Sequence, residues 1–204
     1  MPEPEPFDIT VLSDQADEPA PPRSPFRRVA LGALLAVALA GAATVAYAGW
    51  QITTQKDASL ATPQEIGALR LDESEDGRST ADYLQTALAA EVDLDRTVGA
   101  VYSAAGGNVL FFGGTALIWT PENDLDAAFG LIADSQGAVT GLHDVPAGRL
   151  GGTMKCGTTK SDDGELAVCG WADHGSLALA MFPGRSQDDS AVLLRGIREA
   201  VQAR

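Results

Sequence analysis

LGGTMKCGTTKSDDGELAVCGW, residues 150–171, is the stretch whose reading decides how the folded part of this chain is built. Leu150 to Cys156 and Glu165 to Trp171 read as two strands around the turn-like Ser161-Asp162-Asp163-Gly164. The stretch is symmetric about Asp162-Asp163. A regular antiparallel register therefore sets Cys156 opposite Cys169, and Met154 opposite Trp171 on the same face. These are the only two cysteines of the chain. A disulfide across the hairpin would remove loop entropy worth about 3 kcal/mol. Two other readings stand beside it. His143 and His174 are the only histidines, and with both cysteines they make a four-ligand zinc set, though without the short paired cysteine spacing of common zinc sites. Free thiols would need a reducing compartment.

Outward from the hairpin, Ser176 to Phe182 reads as a third strand. Asp189-Ser190 then opens a helix with Val192, Leu193, Ile197 and Val201 turned inward. Upstream, Ser79 or Thr80 caps a helix carrying Tyr83, Leu84, Ala87, Leu88 and Val92 on one face. Val98 to Ser103 and Val109 to Phe112 read as strands around Ala105-Gly106-Gly107-Asn108. Gly113-Gly114 interrupts, and Thr115 to Trp119 reads as another strand. Thr120-Pro121-Glu122 starts a helix by cap, first-turn proline and acid, with Leu125, Phe129 and Ile132 buried and Gly137 as its end. The order suggests two β-β-β-α units, a duplicated α+β domain over residues 80–204. The expected fold is one antiparallel sheet with helices on one face.

Ahead of this domain, Val29 to Trp50 carries no charge. At helical rise the run reaches about 33 Å, enough for a hydrocarbon core of about 30 Å. Arg23, Arg27 and Arg28 precede it and only Lys56 follows closely. That asymmetry predicts a single-pass protein with a cytoplasmic N-terminus and an extracytoplasmic C-terminal domain. Tyr47 and Trp50 fall at the outer interface. The rival reading is an export signal cut after Ala48, since Ala46-Tyr47-Ala48 fits the cleavage pattern. The run is long for a signal core, and either reading leaves the domain outside the cytoplasm. Gly32, Ala36, Ala40, Thr44 and Ala48 recur at every fourth position. Such a small-residue face would let two copies pack as a homodimer, although alanine is abundant enough here to meet any spacing. Residues 1–28, rich in proline and acids, read as a disordered cytoplasmic tail, and residues 51–79 as a polar juxtamembrane stalk.

The net charge of −14 argues against nucleic acid as a partner, because phosphate binding rests on clustered Lys and Arg. Asp72-Glu73-Ser74-Glu75-Asp76-Gly77 imitates the opening of a calcium loop. Its twelfth position is Tyr83 instead of the bidentate Glu, so a solvated acidic loop is the plainer reading and no metal or other cofactor is expected. Asp173-His174-Gly175-Ser176 lays acid, imidazole and hydroxyl side by side. A working triad is assembled by geometry from separate segments, and no G-x-S-x-G elbow is present, so a turn is expected here. His143-Asp144-Val145-Pro146 likewise reads as a loop before proline.

The block Cys169-Gly170-Trp171-Ala172-Asp173-His174-Gly175-Ser176, followed by Phe182-Pro183-Gly184-Arg185, resembles a segment of actinobacterial single-pass membrane proteins. The Ala-, Gly- and Asp-rich, Lys-poor composition is similar to that of high-GC bacteria. The resemblance covers the last third of the chain and implies a bacterial cell-envelope setting, with no reaction or catalytic residue attached. The resulting expectation is a membrane-anchored extracytoplasmic binding, interaction or accessory domain rather than an enzyme. Its partner would be an envelope protein or a small ligand, met at Trp171, Asp173 and His174. The alternative is an envelope hydrolase using His174 with Ser176 or Asp173.

Overall fold

A computed structural model describes residues 25–132, 138–161 and 164–204. The chain forms two units, one ending at Val45 and one running from Ala46 to Arg204. Helix α1 (Pro25–Gln55) opens with proline, whose fixed φ and missing N–H suit a first helical position. The helix is apolar on every side rather than along one stripe. Val37 is 72% and Leu34 68% exposed, and Leu35, Leu39 and Val45 are similarly bare. Gly32–Gln55 is long and apolar enough to cross a membrane. The expected tail lies, through residue 24, outside the described residues; its last four residues already belong to α1.

The second unit holds the end of α1 and the rest of the chain. Its elements are β1 (Ser59–Leu60), β2 (Glu65–Ile66), β3 (Leu69–Leu71), α2 (Glu75–Glu91), β4 (Arg96–Ser103), β5 (Val109–Thr115) and α3 (Pro121–Ile132). They continue with β6 (Thr140–Asp144), β7 (Thr153–Ser161), β8 (Gly164–Ala172), β9 (Ser176–Pro183), α4 (Gln187–Val201) and β10 (Gln202–Ala203). Eight strands form one antiparallel sheet in the order β2-β3-β4-β5-β9-β8-β7-β6, and β1 pairs separately with β10. The fold is α+β, as expected from the sequence.

Helices cover both faces of this sheet, not one. Leu194, Ile197 and Val201 of α4 cluster with Phe111, Cys156, Cys169 and Trp171 on one face. Leu88 of α2, with Leu125 and Phe129 of α3, clusters with Phe112, Val168 and Leu179 on the other. Adjacent residues such as Phe111 and Phe112 thus enter different cores, because side chains alternate across a strand. Double coverage explains why β5, β8 and β9 read as near-continuous apolar runs, unlike strands with one wet face.

The decisive hairpin has the expected register. Met154 pairs with Trp171, and Cys156 with Cys169, and the two cysteines form a disulfide. Asp162 and Asp163 of its turn lie outside the described residues, as does Gly137. Gly113-Gly114 does not interrupt. β5 runs through it to Thr115, and no strand covers residues 116–119. A Cβ at Gly113 would overlap Ala178 of the neighbouring strand, so the glycine permits close approach rather than a break. The first half accordingly presents β4-β5-α3 where a third strand was expected.

Three further expectations change. α2 starts at Glu75, capped by Ser74, whose Oγ accepts from the Gly77 N–H at 3.1 Å. The calcium-like acids are therefore a helix start: Asp72 accepts the Ser74 N–H, and Glu75 and Asp76 sit at the positive end of the helix. Tyr83 points to solvent, as does Val192 of α4. The buried stripe of α4 is Ser190, Ala191, Leu194, Ile197, Arg198 and Val201. The segment read as a stalk contributes three strands to the folded unit, held by the β1–β10 pairing and by the Tyr102 hydroxyl, which donates to the Pro63 carbonyl at 3.0 Å. Burial pushes that phenol up to about 12.

Non-reducing peptide mapping of oxidised protein is expected to recover Cys156 and Cys169 as one linked pair. The double variant Cys156→Ala/Cys169→Ala should lose about 3 kcal/mol in urea unfolding.

Candidate functional site

The loop between β8 and β9 contains Asp173-His174-Gly175-Ser176, and its chemistry is decided by burial. Asp173 is fully buried. Its Oδ1 accepts the backbone N–H groups of Gly175 and Ser176, both at 2.8 Å, and the Ser176 hydroxyl at 3.2 Å. Its Oδ2 accepts from Arg198 at 2.8 Å, Gln202 at 2.7 Å and Arg204 at 2.6 Å. Burial pushes this carboxyl up. The Gln202 amide, the Gly175 N–H, the charge of Arg198 and the hydrogen bond from Arg204 outweigh burial and hold it below the usual carboxylate range.

Arg198 is buried in turn, and each of its three nitrogens has an acceptor. Its Nη1 reaches the carbonyls of Ala147 and Gly151, its Nε reaches Gln202, and its guanidinium lies 5.3 Å from the centre of the Trp171 ring. The indole stacks on Phe111 and donates to the Ser176 hydroxyl at 3.2 Å. These side chains form a closed network that joins β8, β9, α4 and the C-terminal residues. Among the described residues every partner of the Asp173 carboxylate donates to it, and none is placed to accept a proton from it.

His174 is half-buried. Its Nδ1 bonds the Ile118 carbonyl at 2.8 Å, and its backbone N–H donates to the Gln55 side chain at 3.1 Å. No hydrogen bond joins His174 to Ser176 or to the Asp173 carboxylate among the described residues. The next residue must be glycine, since a Cβ at Gly175 would overlap the Gln55 carbonyl oxygen. The end of α1 is thereby seated against this loop.

Of the three residues expected on a ligand or partner surface, Trp171 and Asp173 are therefore interior, and only His174 reaches solvent. Polar character in Asp173 suggested a surface; six hydrogen bonds make its burial tolerable. Ser176, offered as a nucleophile, is fully buried with its hydroxyl committed. The four candidate zinc ligands are not assembled: the cysteines are disulfide-bonded, and no metal-holding group of side chains occurs among the described residues. Gly32, Ala36 and Ala40 lie exposed on α1.

A concave surface lies elsewhere. A groove of about 490 Å³ lies between Lys56, Asp57 and Ala58 after α1, Asp95 and Arg96 at the start of β4, and Thr115, Ala116 and Leu117 after β5. A smaller cleft of about 130 Å³ shares Ala58, Arg96 and Thr115 with it. Lys56 pairs with Asp57 at 2.8 Å, and Asp95 lies beside Arg96, so the groove offers both signs of charge. Its residues come from three distant segments, which left no sequence signal to find them. Nothing matches this chain among protein-family models, curated proteins or solved structures.

Truncation of the carboxylate by Asp173→Ala leaves Arg198 charged, buried and without its counter-ion. A loss of about 3–5 kcal/mol is expected in urea unfolding. The depressed acidity has its own signature. Stabilisation from Asp173 is complete above its ordinary value of 3.8 and fades as pH falls through the lower folded value. Unfolding midpoints should therefore drop below roughly pH 4, and Asp173→Asn, already weakened at neutral pH, should show a shallower drop over the same range.

Proposed function

We propose that this chain is a single-pass protein of the bacterial cell envelope, with its N-terminus cytoplasmic and the unit from Ala46 onward outside as a binding or accessory domain. The bare apolar surface of α1 carries this reading. Val29, Leu34, Leu35, Val37, Leu39 and Val45 are exposed, and such a continuous surface is unfavourable in water and favourable in lipid. The arginines before the apolar run support the orientation, and the disulfide suits an oxidising compartment outside. The resemblance of the Cys169–Ser176 block to actinobacterial single-pass proteins fits the same setting.

Support for binding over catalysis comes from the Asp173 loop. Its acid and hydroxyl are tied into the core, while the open groove presents Arg96 and Lys56 with Asp57 and Asp95. A small polar ligand or a polar segment of another envelope protein suits that lining.

The topology has a direct measurement. Alkaline phosphatase fused after Arg204 should be active in intact bacterial cells, and green fluorescent protein at the same place should be dark. The opposite pair of results would place the domain in the cytoplasm and overturn the proposal.

A further inference from the structure

The segment after β5 has an unusual arrangement of apolar side chains. Ile118 is buried in the α2–α3 core, while its neighbours Leu117 and Trp119 are 47% and 68% exposed. Ile118 also accepts the His174 imidazole and donates its N–H to the His174 carbonyl at 3.2 Å. The backbone is thus pinned, and a leucine and a tryptophan are held outward on either side of the pin. Such a pair in water is unfavourable by the burial each side chain forgoes. None of the described residues of the unit covers it.

The place of this pair in the unit indicates what does. His174 receives the Gln55 side chain on its backbone N–H, and Leu117 lines the same groove as Lys56, Asp57 and Ala58. Leu117 and Ile118 therefore lie beside the end of α1 and the residues just after it, and Trp119 follows them in the chain. Trp50, at the end of the apolar stretch, precedes Gln55 by five residues, about 7–8 Å along a helix axis. The polar layer of a bilayer is about 5–8 Å deep on each side of the hydrocarbon. The end of α1, and the loop tied to it, consequently fall at headgroup depth. Tryptophan is enriched at that depth because its ring is apolar and its N–H is not.

We propose that Leu117 and Trp119 rest in the outer headgroup layer of the membrane that α1 crosses, giving the domain a second, peripheral contact with the bilayer. The inference rests on the membrane-anchored reading of α1. The contact is apolar and aromatic rather than ionic. Lys56 is paired with Asp57, Arg96 lies beside Asp95, and the segment from Gln51 onward carries 22 acidic against 11 basic residues. A neutral lipid surface suits it better than an anionic one.

The test uses the full chain in phosphatidylcholine vesicles. Both native cysteines are in the disulfide, so Leu117→Cys offers one reactive thiol for an environment-sensitive fluorophore. Reporters at Trp119→Cys, at Tyr83→Cys on the exposed side of α2, and at Val37→Cys within α1 complete the set. Expected are blue-shifted emission at 117 and 119, quenching by lipids spin-labelled near the headgroup, and iodide quenching several-fold weaker than at 83. Iodide quenching at 117 and 119 equal to that at 83, with 37 still shielded, overturns this contact and leaves the anchor standing. Iodide access at 37 overturns the anchor and the contact together. Shielding at 117 that disappears on diluting the protein in lipid would mean a second copy covers the pair, which also overturns the lipid contact.

Discussion

The Asp173 carboxylate is the constraint on which the folded unit depends. A buried charge is costly unless its lone pairs are filled, and here six donors fill them. Those donors come from the loop itself, from α4 and from the last residues of the chain. Satisfying one carboxylate therefore fixes the β8–β9 connection, the face that α4 presents and the path of the C-terminus. The C-terminal residues in turn pair with β1, which brings the segment after α1 into the same structure.

Around that network the packing is conventional. A twofold-covered sheet provides two cores, and the disulfide lies within the one that also holds Trp171, Phe111 and the apolar side of α4. The covalent link and the ionic network are close neighbours: Cys169 and Trp171 share a face of β8, and Trp171 stacks under Arg198. A second buried cation, Lys155, faces α3, where Asp126 at 2.7 Å and Glu122 at 3.4 Å meet it. Polar groups inside this unit are thus placed where they join a helix to the sheet.

The same economy of position shapes its outer edge. His174 acts as a connector, holding the end of α1 through its backbone and the 116–119 segment through its ring. The groove, the exposed Leu117 and Trp119 and the last turn of α1 are consequences of that connection. Residues that look catalytic in one dimension act as joints in three.

Much of the architecture was already legible in the order of residues. Local rules suffice for the hairpin register, for the start of α3 at Thr120-Pro121-Glu122 and for an apolar α1, because turn symmetry, capping chemistry and hydropathy act between near neighbours. They failed where distant segments decided. Val192 was turned inward in place of Leu194 and Arg198, because an apolar count cannot anticipate an arginine buried by a carboxylate 25 positions away. Gly113-Gly114 looked like a break because the strand that presses against it, β9, lies far along the chain. Asp173 and Trp171 looked like a surface for the same reason. Sequence by itself determined the apolar helix, the central hairpin with its register and the start of α3; only the tertiary structure decided the short edge strands and which polar side chains are interior, since both depend on partners that no local window contains.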